Sequence, residues 1–234
     1  MNPLSYIVEP EGLLLTWQPQ DEQARPRTRR IVAEIDLKND NQATFRYLKN
    51  TADFQTAIEA GFKGYPAFDL GADEISTGVI ETFLRRLPPR KREDFAEFLA
   101  LHRLPFPFPY SDIALLGYTG ARLPSDGFSL VPVFPKDAVP CDLLLEIAGF
   151  RHIEGVSTAQ LKVNDPVIFA IDHNNPVDSD AIAINHNKVC IGYVNRALKN
   201  TFHGWLKTKK VMATIDRING KPEHPLIYLR IAVR

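Results

Sequence analysis

Apolar and polar positions alternate in short runs in both halves of the chain, and this pattern predicts β-strands. The predicted strands are Leu13–Trp17, Ile31–Leu37, Ala43–Leu48, Leu130–Phe134, Val167–Ile171, Ala181–Ile184 and Val189–Val194. A polar, arginine-rich connection, Gln18–Arg30, is predicted to be an exposed hairpin loop between the first two. The N-terminal strands predict a small antiparallel sheet.

Apolar positions at helical spacing predict helices between these strands. The predicted helices run from Thr51 to Gly61, from Thr77 to Leu87, from Arg90 to His102, from Ser111 to Leu116 and from Ala197 to Leu206. The C-terminal order of strand, polar corner, strand, strand and helix is typical of a small β-barrel. We therefore predict an α+β chain, with a sheet and packed helices over residues 1–135, a linker at 136–140 and a β-barrel over 141–234.

Charge is balanced over the whole chain, with 28 Lys and Arg against 28 Asp and Glu, but it is unevenly distributed. Ten of the basic residues and only two of the acidic ones lie from Lys188 to Arg234. A basic segment of this kind beside a binding groove fits a track for phosphates. A solvated charged face is the alternative explanation.

The segment Asp172–Asp180, DHNNPVDSD, combines acidic side chains with turn-forming residues between two predicted strands. It does not match a calcium-binding loop, which needs a glycine at its sixth position, where this chain has Val177. The serines near its histidines do not lie in a nucleophile elbow. We therefore expect a surface corner, with no catalytic residue, no metal ligand and no cofactor.

The two cysteines, Cys141 and Cys190, are isolated and have no partner at the spacing of a structural zinc site. A signal peptide and an apolar run long enough to cross a membrane are not apparent. The sequence therefore predicts a cytoplasmic protein that does not contact membranes.

The C-terminal half resembles the HIRAN domain, from about Cys141 to Arg234. The resemblance rests on Arg151 within GFRHIEG, on Asn175-Pro176-Val177-Asp178 followed by Ala181–Ile184, and on Ile191–Val194. These motifs occur in the order that the family shows. HIRAN domains are OB-like barrels, so the resemblance implies that the predicted β-barrel is OB-like.

The best understood HIRAN domains capture the 3′ end of single-stranded DNA, and the resemblance implies a strand with a free 3′-hydroxyl as partner. The implied DNA-binding residues are Arg151, His152, Val177, Asp178, Tyr193, Asn195 and Arg196. On this pattern Asp178 accepts a hydrogen bond from the terminal hydroxyl, and Arg151 binds the last phosphate as a fork. Tyr193 and Arg196 hold the backbone or stack on a base. His152 and Val177 stand where other members carry aromatic residues, so weaker stacking is expected.

The N-terminal half resembles the N-terminal subdomain of HipA toxin kinases, or the separate small protein HipS. The resemblance rests on Val32–Ile35, Ala43–Tyr47, the helix ending Phe83–Pro88, and Ser111–Pro132. It implies a docking lobe for a HipA- or HipT-type kinase or a HipB-type antitoxin. Since no kinase core follows, the chain is predicted to be a non-enzymatic bacterial adaptor or antitoxin-like regulator.

Two other hypotheses remain open from the sequence. One is a general nucleic-acid-binding module whose N-terminal half is only structural. The other is a hydrolase or nuclease, which would turn over DNA with a divalent metal ion.

Overall fold

The computed structural model describes residues 2–20, 28–39, 42–221 and 224–234, with only the backbone of Asn39, and divides the chain into two compact units. The first contains Glu9–Pro135, and the second contains Leu4–Val8 together with Lys136–Arg234. The sequence analysis assigned residues 1–135 to one unit, whereas the structure places Leu4–Val8 with the second. The predicted Gln18–Arg30 loop lies largely outside the described residues.

The first unit has a four-stranded antiparallel sheet and four α-helices, as the sequence predicts. Its strands are β1 (Gly12–Trp17), β2 (Arg30–Asn39), β3 (Gln42–Tyr47) and β4 (Phe128–Val133), and its helices are α1 (Ala52–Glu59), α2 (Val79–Leu84), α3 (Phe95–Leu101) and α4 (Asp112–Thr119). The strand order is β3-β2-β1-β4. Helices α1 and α4 begin where the hydroxyls of Thr51 and Ser111 accept hydrogen bonds from the backbone. Helix α3 starts later than predicted because Pro89 and Arg92 form a turn.

Aromatic side chains make up much of the core of this unit. Phe45 is fully buried, and its ring centroid lies 4.5 Å from that of Phe68 and 4.8 Å from that of Tyr47. The Tyr47 hydroxyl is buried without loss of hydrogen bonding, because it donates to Phe68 O and accepts from Tyr65 N. The alternation seen in the sequence therefore directs the bulky rings of β3 into the core.

A buried guanidinium fixes the loop before β4. Arg86 donates to both carboxylate oxygens of Asp126 at 2.8 Å and, through Nε, to Ala121 O at 2.7 Å. Its guanidinium also lies over the rings of Tyr65 and Phe128. Bidentate pairing and stacking together satisfy a charge that would otherwise be costly to bury.

The second unit is a six-stranded antiparallel sheet, and the α+β prediction is confirmed. Its strands are β5 (Cys141–Glu146), β6 (Pro166–Asp172), β7 (Ala181–His186), β8 (Val189–Tyr193), β9 (Val211–Lys221) and β10 (His224–Val233), in the order β5-β10-β9-β6-β7-β8. Strands β5, β9 and β10 were not assigned from the sequence. An isolated bridge joins Ala148, which follows β5, to Tyr193 of β8. The two edge strands therefore approach each other at this point, as expected for an OB-like fold.

A helix covers part of this sheet. After a 3₁₀ turn at Arg196–Leu198, helix α5 runs over Lys199–Thr208. Phe202 and Trp205 are buried on its inner face, and the Phe202 ring packs 5.1 Å from that of Phe169 in β6. This packing fixes which face of α5 points to solvent.

The segment Leu4–Val8 is held on the second unit by one buried carboxylate. Asp142 accepts hydrogen bonds from Ser5 N at 2.9 Å and Tyr6 N at 3.3 Å, and its own amide donates to Tyr6 O at 2.7 Å. Arg234 completes the cluster, donating to Asp142 Oδ1 and lying over the Tyr6 ring. Residues near the start of the chain thus complete a unit formed mainly by Lys136–Arg234.

Candidate nucleic-acid interface

The corner between β6 and β7 is built by its own side chains. Asn175 Oδ1 accepts hydrogen bonds from the amides of Val177 and Asp178 at 2.9 and 3.0 Å, and Asp172 Oδ1 accepts one from Asn174 N. Asp178 Oδ1 in turn accepts one from Asp180 N at 3.1 Å. Asn and Asp favour such local turns, so the sequence itself fixes the backbone that presents Asp178.

Asp178 lies between two cations that follow β8. Lys199 Nζ is 3.0 Å from Oδ1 and 2.8 Å from Oδ2, and Arg196 Nη2 is 3.8 Å from Oδ2. The Asp178 side chain is 17% exposed. The result is a half-buried carboxylate at the surface, flanked by two positive charges.

The charge state of Asp178 follows from these contacts. Burial opposes its ionisation, but the hydrogen bonds from Lys199 and from the Asp180 amide, together with the charges of Lys199 and Arg196, outweigh burial and lower the pKa of Asp178. Asp178 is therefore a carboxylate, and only an acceptor of hydrogen bonds, at neutral pH.

Tyr193 connects the corner with the segment that leads to Arg151. Its hydroxyl donates to Asp172 Oδ2 at 3.0 Å, and its backbone exchanges two hydrogen bonds with Ala148. Burial and then the bond to Asp172 raise the pKa of Tyr193 to about 12. The phenol is therefore neutral and held in one orientation.

Arg151 lies in a 3₁₀ turn, Phe150–His152, that follows the bridge between Ala148 and Tyr193. Its Nε donates to His152 Nε2 at 3.2 Å, and its Nη1 lies 3.5 Å from His224 Nδ1 at the start of β10. A guanidinium has five N–H donors, and these two contacts leave three for another acceptor. The group is exposed and oriented, as binding of a phosphate requires.

The structure thus brings together some of the predicted site residues and separates others. Asp178 and Arg196 meet at the corner, and Tyr193 reaches it through Asp172. Within the described residues, the contacts of Arg151 are with histidines and those of Asp178 with Lys199 and Arg196, so the arginine implied to bind the last phosphate does not pair with the acid implied to bind the terminal hydroxyl.

The remaining predicted residues have distinct surroundings. His152 is exposed beside Arg151, and Val177 is 70% exposed at the tip of the corner. Asn195 caps the following 3₁₀ turn, its Oδ1 accepting from Ala197 N at 3.0 Å. This contact gives Asn195 a local structural role at the edge of the site.

Sequence reasoning missed Lys199 and His224. Lys199 had a usable signal, because it stands one helical turn after Arg196 in a basic segment. His224 had none, because its approach to Arg151 depends on the pairing of β10 in the sheet.

Other classes of site are not seen in the described part of the chain. No group of three or more His, Cys, Asp or Glu side chains there is placed to hold a metal ion. The acids of the corner instead accept hydrogen bonds from Tyr193, Lys199 and backbone amides. In those same ranges no helix is long and apolar enough to cross a membrane.

Comparison with known proteins identifies the second unit. The family model of the HIRAN domain matches residues 142–233. This segment is a HIRAN domain. The match begins in β5 and ends in β10, so it covers all six strands of the sheet and leaves out Leu4–Val8, which complete the unit.

Two solved structures are similar to this part of the chain. The crystal structure of the HIRAN domain of human HLTF is 23% identical, with 39% of this chain and 74% of that chain covered and a TM-score of 0.31. A protein from Lactobacillus plantarum is 14% identical, with 39% and 92% covered and a TM-score of 0.31. No curated protein matches the chain. The match to the HIRAN family lies outside the first unit, whose likeness to the HipA subdomain stays a prediction.

Proposed function

We propose that the HIRAN domain binds the 3′ end of single-stranded DNA, with Asp178 as the acceptor for the terminal hydroxyl. Nucleic-acid binding is the function that the family match supports. The observation that carries the finer proposal is the Asp178 carboxylate, ionised and partly exposed at a corner between Lys199 and Arg196.

The carboxylate has room for one more hydrogen bond. Oδ1 accepts from both Lys199 Nζ and Asp180 N, whereas Oδ2 accepts from Lys199 Nζ and has Arg196 at the longer distance of 3.8 Å. Since each carboxylate oxygen has about two acceptor positions, Oδ2 can accept a hydrogen bond from a hydroxyl. A phosphate at the same place would bring two negative charges together, which is unfavourable.

The cations around the corner supply the binding energy that a lone acid cannot. Arg196 and Lys199 lie next to Asp178 and suit the phosphate nearest to the terminal sugar. Arg151, held by His152 and His224, offers its fork from the turn that follows the Ala148–Tyr193 bridge. The proposal keeps Arg151 as a phosphate ligand and adds Lys199 to the set.

Few side chains at the site are suited to stack on bases. The Tyr193 ring is half-buried and oriented by its hydroxyl, and His152 is exposed beside Arg151. Val177 offers only a small apolar face. Stacking contributes about 1–3 kcal/mol per base, so the terminal acid and the surrounding cations must provide most of the selectivity.

The test compares oligodeoxythymidylates that end in a 3′-hydroxyl or a 3′-phosphate. The unaltered protein should bind the hydroxyl end at least about tenfold more tightly, because like charges brought together cost several kcal/mol. Asp178→Asn preserves the shape of the corner and should remove this preference. Asp180→Asn is the matched control, since it removes the same charge from an exposed position in the same turn and should keep the preference.

Equal binding of the two ends by the unaltered protein would contradict end recognition. It would favour the alternative, a general nucleic-acid-binding groove, in which affinity depends on the number of phosphates neutralised.

The proposal extends to the first unit, as a lobe that docks a HipA- or HipT-type kinase or a HipB-type antitoxin. Its support is the set of short motifs from Val32 to Pro132 that resemble the HipA subdomain. On this view the protein is a non-enzymatic adaptor. Purification of the chain with its partners from the native host tests the docking role, which would be refuted if no kinase or antitoxin of these types were recovered.

A further inference from the structure

Helix α5 carries basic residues at helical spacing on the side that starts at the Asp178 corner. Positions that share a helix face recur every three or four residues, and Lys199, His203 and Lys207 follow this spacing. We call the face made by Lys199, Asn200, His203, Gly204 and Lys207 the α5 stripe. The helix contains no acidic residue, and its opposite face is buried through Phe202 and Trp205.

The α5 stripe is tied directly to the proposed end pocket. Lys199, its first member, holds the Asp178 carboxylate. One turn later, His203 Nε2 lies 2.8 Å from Asp180 O, and the ring nitrogen must be the donor because a carbonyl oxygen can only accept. Lys199 and His203 therefore both contact the corner, and Lys207, one turn further on, continues away from it.

Gly204 is a second, independent sign that a partner lies on this helix. Glycine is among the least favourable residues in the interior of a helix. The fold does not require it here, since a Cβ built at Gly204 has nothing within 4 Å among the described residues and its φ is not positive. Glycine is also the residue that lets a ligand backbone approach closely. Because Gly204 lies between His203 and Lys207, no side chain projects from the middle of the α5 stripe.

From the stripe we infer that single-stranded DNA held at the Asp178 corner continues along α5, with its phosphates near His203 and Lys207 and its backbone passing over Gly204. This inference rests on the proposed function and adds the direction of the strand. From Lys199 to Lys207 the helix rises about 12 Å, at about 1.5 Å per residue. A stacked strand with one phosphate per about 3.4 Å would place roughly three phosphates along this length.

The experiment uses the full chain and 5′-labelled oligodeoxythymidylates of about three and about ten nucleotides, lengths chosen from the roughly three phosphates that the helix accommodates. Lys207→Gln should reduce the slope of log affinity against log salt by about 0.7 for the longer strand and leave the shorter one unchanged. The matched control is Lys188→Gln, an exposed lysine at the opposite end of β7, about 17 Å along the strand from the corner.

Gly204→Ala separates a role in binding from a role in stability. Because alanine favours the helix, this variant should melt about 2–4 °C higher. If the strand passes over Gly204, the same variant should bind the longer oligonucleotide more weakly. If Gly204→Ala melts at a higher temperature and yet binds the longer oligonucleotide more weakly, the loss of binding cannot result from destabilisation of the fold.

Three results would overturn the inference. Lys207→Gln behaving like Lys188→Gln on the longer strand would show that no phosphate lies near Lys207. Equal losses for both strands would place Lys207 in the end pocket instead of beyond it. If the unaltered protein bound neither oligonucleotide, the proposed function would fail, and the inference with it, whereas the first two results leave end recognition intact.

Discussion

Lys199 and Asp178 form an ion pair in which one ammonium nitrogen lies 3.0 Å from Oδ1 and 2.8 Å from Oδ2. The pair fastens the start of α5 to the corner between β6 and β7, 21 residues earlier in the chain. It also presents the carboxylate in its ionised form, beside the positive charges that a phosphate needs. The pair therefore connects the architecture of the HIRAN domain with its proposed chemistry.

Replacing Lys199 with Gln should raise the pKa of Asp178. Burial, which favours the neutral acid, would remain, while the strongest contact to the ionised form would be lost. A pH titration of the Asp178 carboxyl carbon by NMR measures this directly. Lys188→Gln, a distant lysine, should leave the titration unchanged, and an unchanged Asp178 pKa in Lys199→Gln would show that Arg196 and the backbone alone hold the charge.

The same pair predicts a change in acid stability. Because the pKa of Asp178 is lowered on folding, its contribution is fully present above its ordinary value of 3.8 and is lost as pH falls below that value. A fall from about pH 6 to about pH 3 crosses that ordinary pKa. It should therefore lower the free energy of unfolding of Lys199→Gln by less than that of the unaltered protein. Urea unfolding gives the free energy of unfolding of each protein at each pH, and the difference between the two losses measures this effect.

Val177→Tyr should strengthen binding of 3′ ends. Val177 is 70% exposed at the tip of the corner, so an aromatic ring fits without disturbing the core. One added stacking platform is worth about 1–3 kcal/mol, or a gain of about 5- to 150-fold in affinity. Val189→Tyr, at a position 53% exposed on β8, is the control for nonspecific DNA binding by an exposed aromatic ring. An equal gain in both variants would argue against a base lying beside Val177.

Arg86→Lys should destabilise the first unit by about 2–4 kcal/mol, because lysine cannot reproduce the bidentate pair with Asp126 or the bond to Ala121 O. Urea unfolding followed by Trp17 fluorescence, with Trp205 replaced by Phe, reports on this unit. Arg92→Lys should leave stability almost unchanged, since its pair with Asp94 is exposed. Similar effects of the two changes would contradict the structural role given to Arg86.

Asp142→Asn should release Leu4–Val8 and destabilise the second unit by about 2 kcal/mol. The buried Asp142 carboxylate binds the Ser5 and Tyr6 amides and Arg234, and a weakened buried acceptor costs about 1–3 kcal/mol. Unfolding followed by Trp205 fluorescence, with Trp17 replaced by Phe, measures the loss. Asp137→Asn, an exposed change of the same kind, should have little effect. Tyr6→Ala should reproduce part of the loss if the segment packs as the structure shows.

The elements that depend on local chemistry were predictable from the sequence. The alternation in Ala43–Leu48 places alternate side chains on opposite faces of β3, and Thr51 and Ser111 cap the helices that follow them. Strands β9 and β10 were missed although they pair over most of their length. Polar and charged residues interrupt the apolar pattern of β9, whereas β10 carries apolar residues on both faces, so neither shows a simple alternation. Both strands are stabilised by pairing with their neighbours in the sheet.

For the candidate site, the sequence alone determined the corner, because Asn175 and Asp178 shape the turn through bonds to amides only two or three residues away. Only the tertiary structure decided which cations face the acid. The resemblance implied Arg151 as the cation for the last phosphate, yet folding brings Lys199 to Asp178 and His224 to Arg151, across separations of 21 and 73 residues. Contacts of that range depend on how strands and helices pack. The basic segment that contains Lys199 was visible in the sequence, but its pairing with Asp178 was not, and no local signal marks His224 as a neighbour of Arg151.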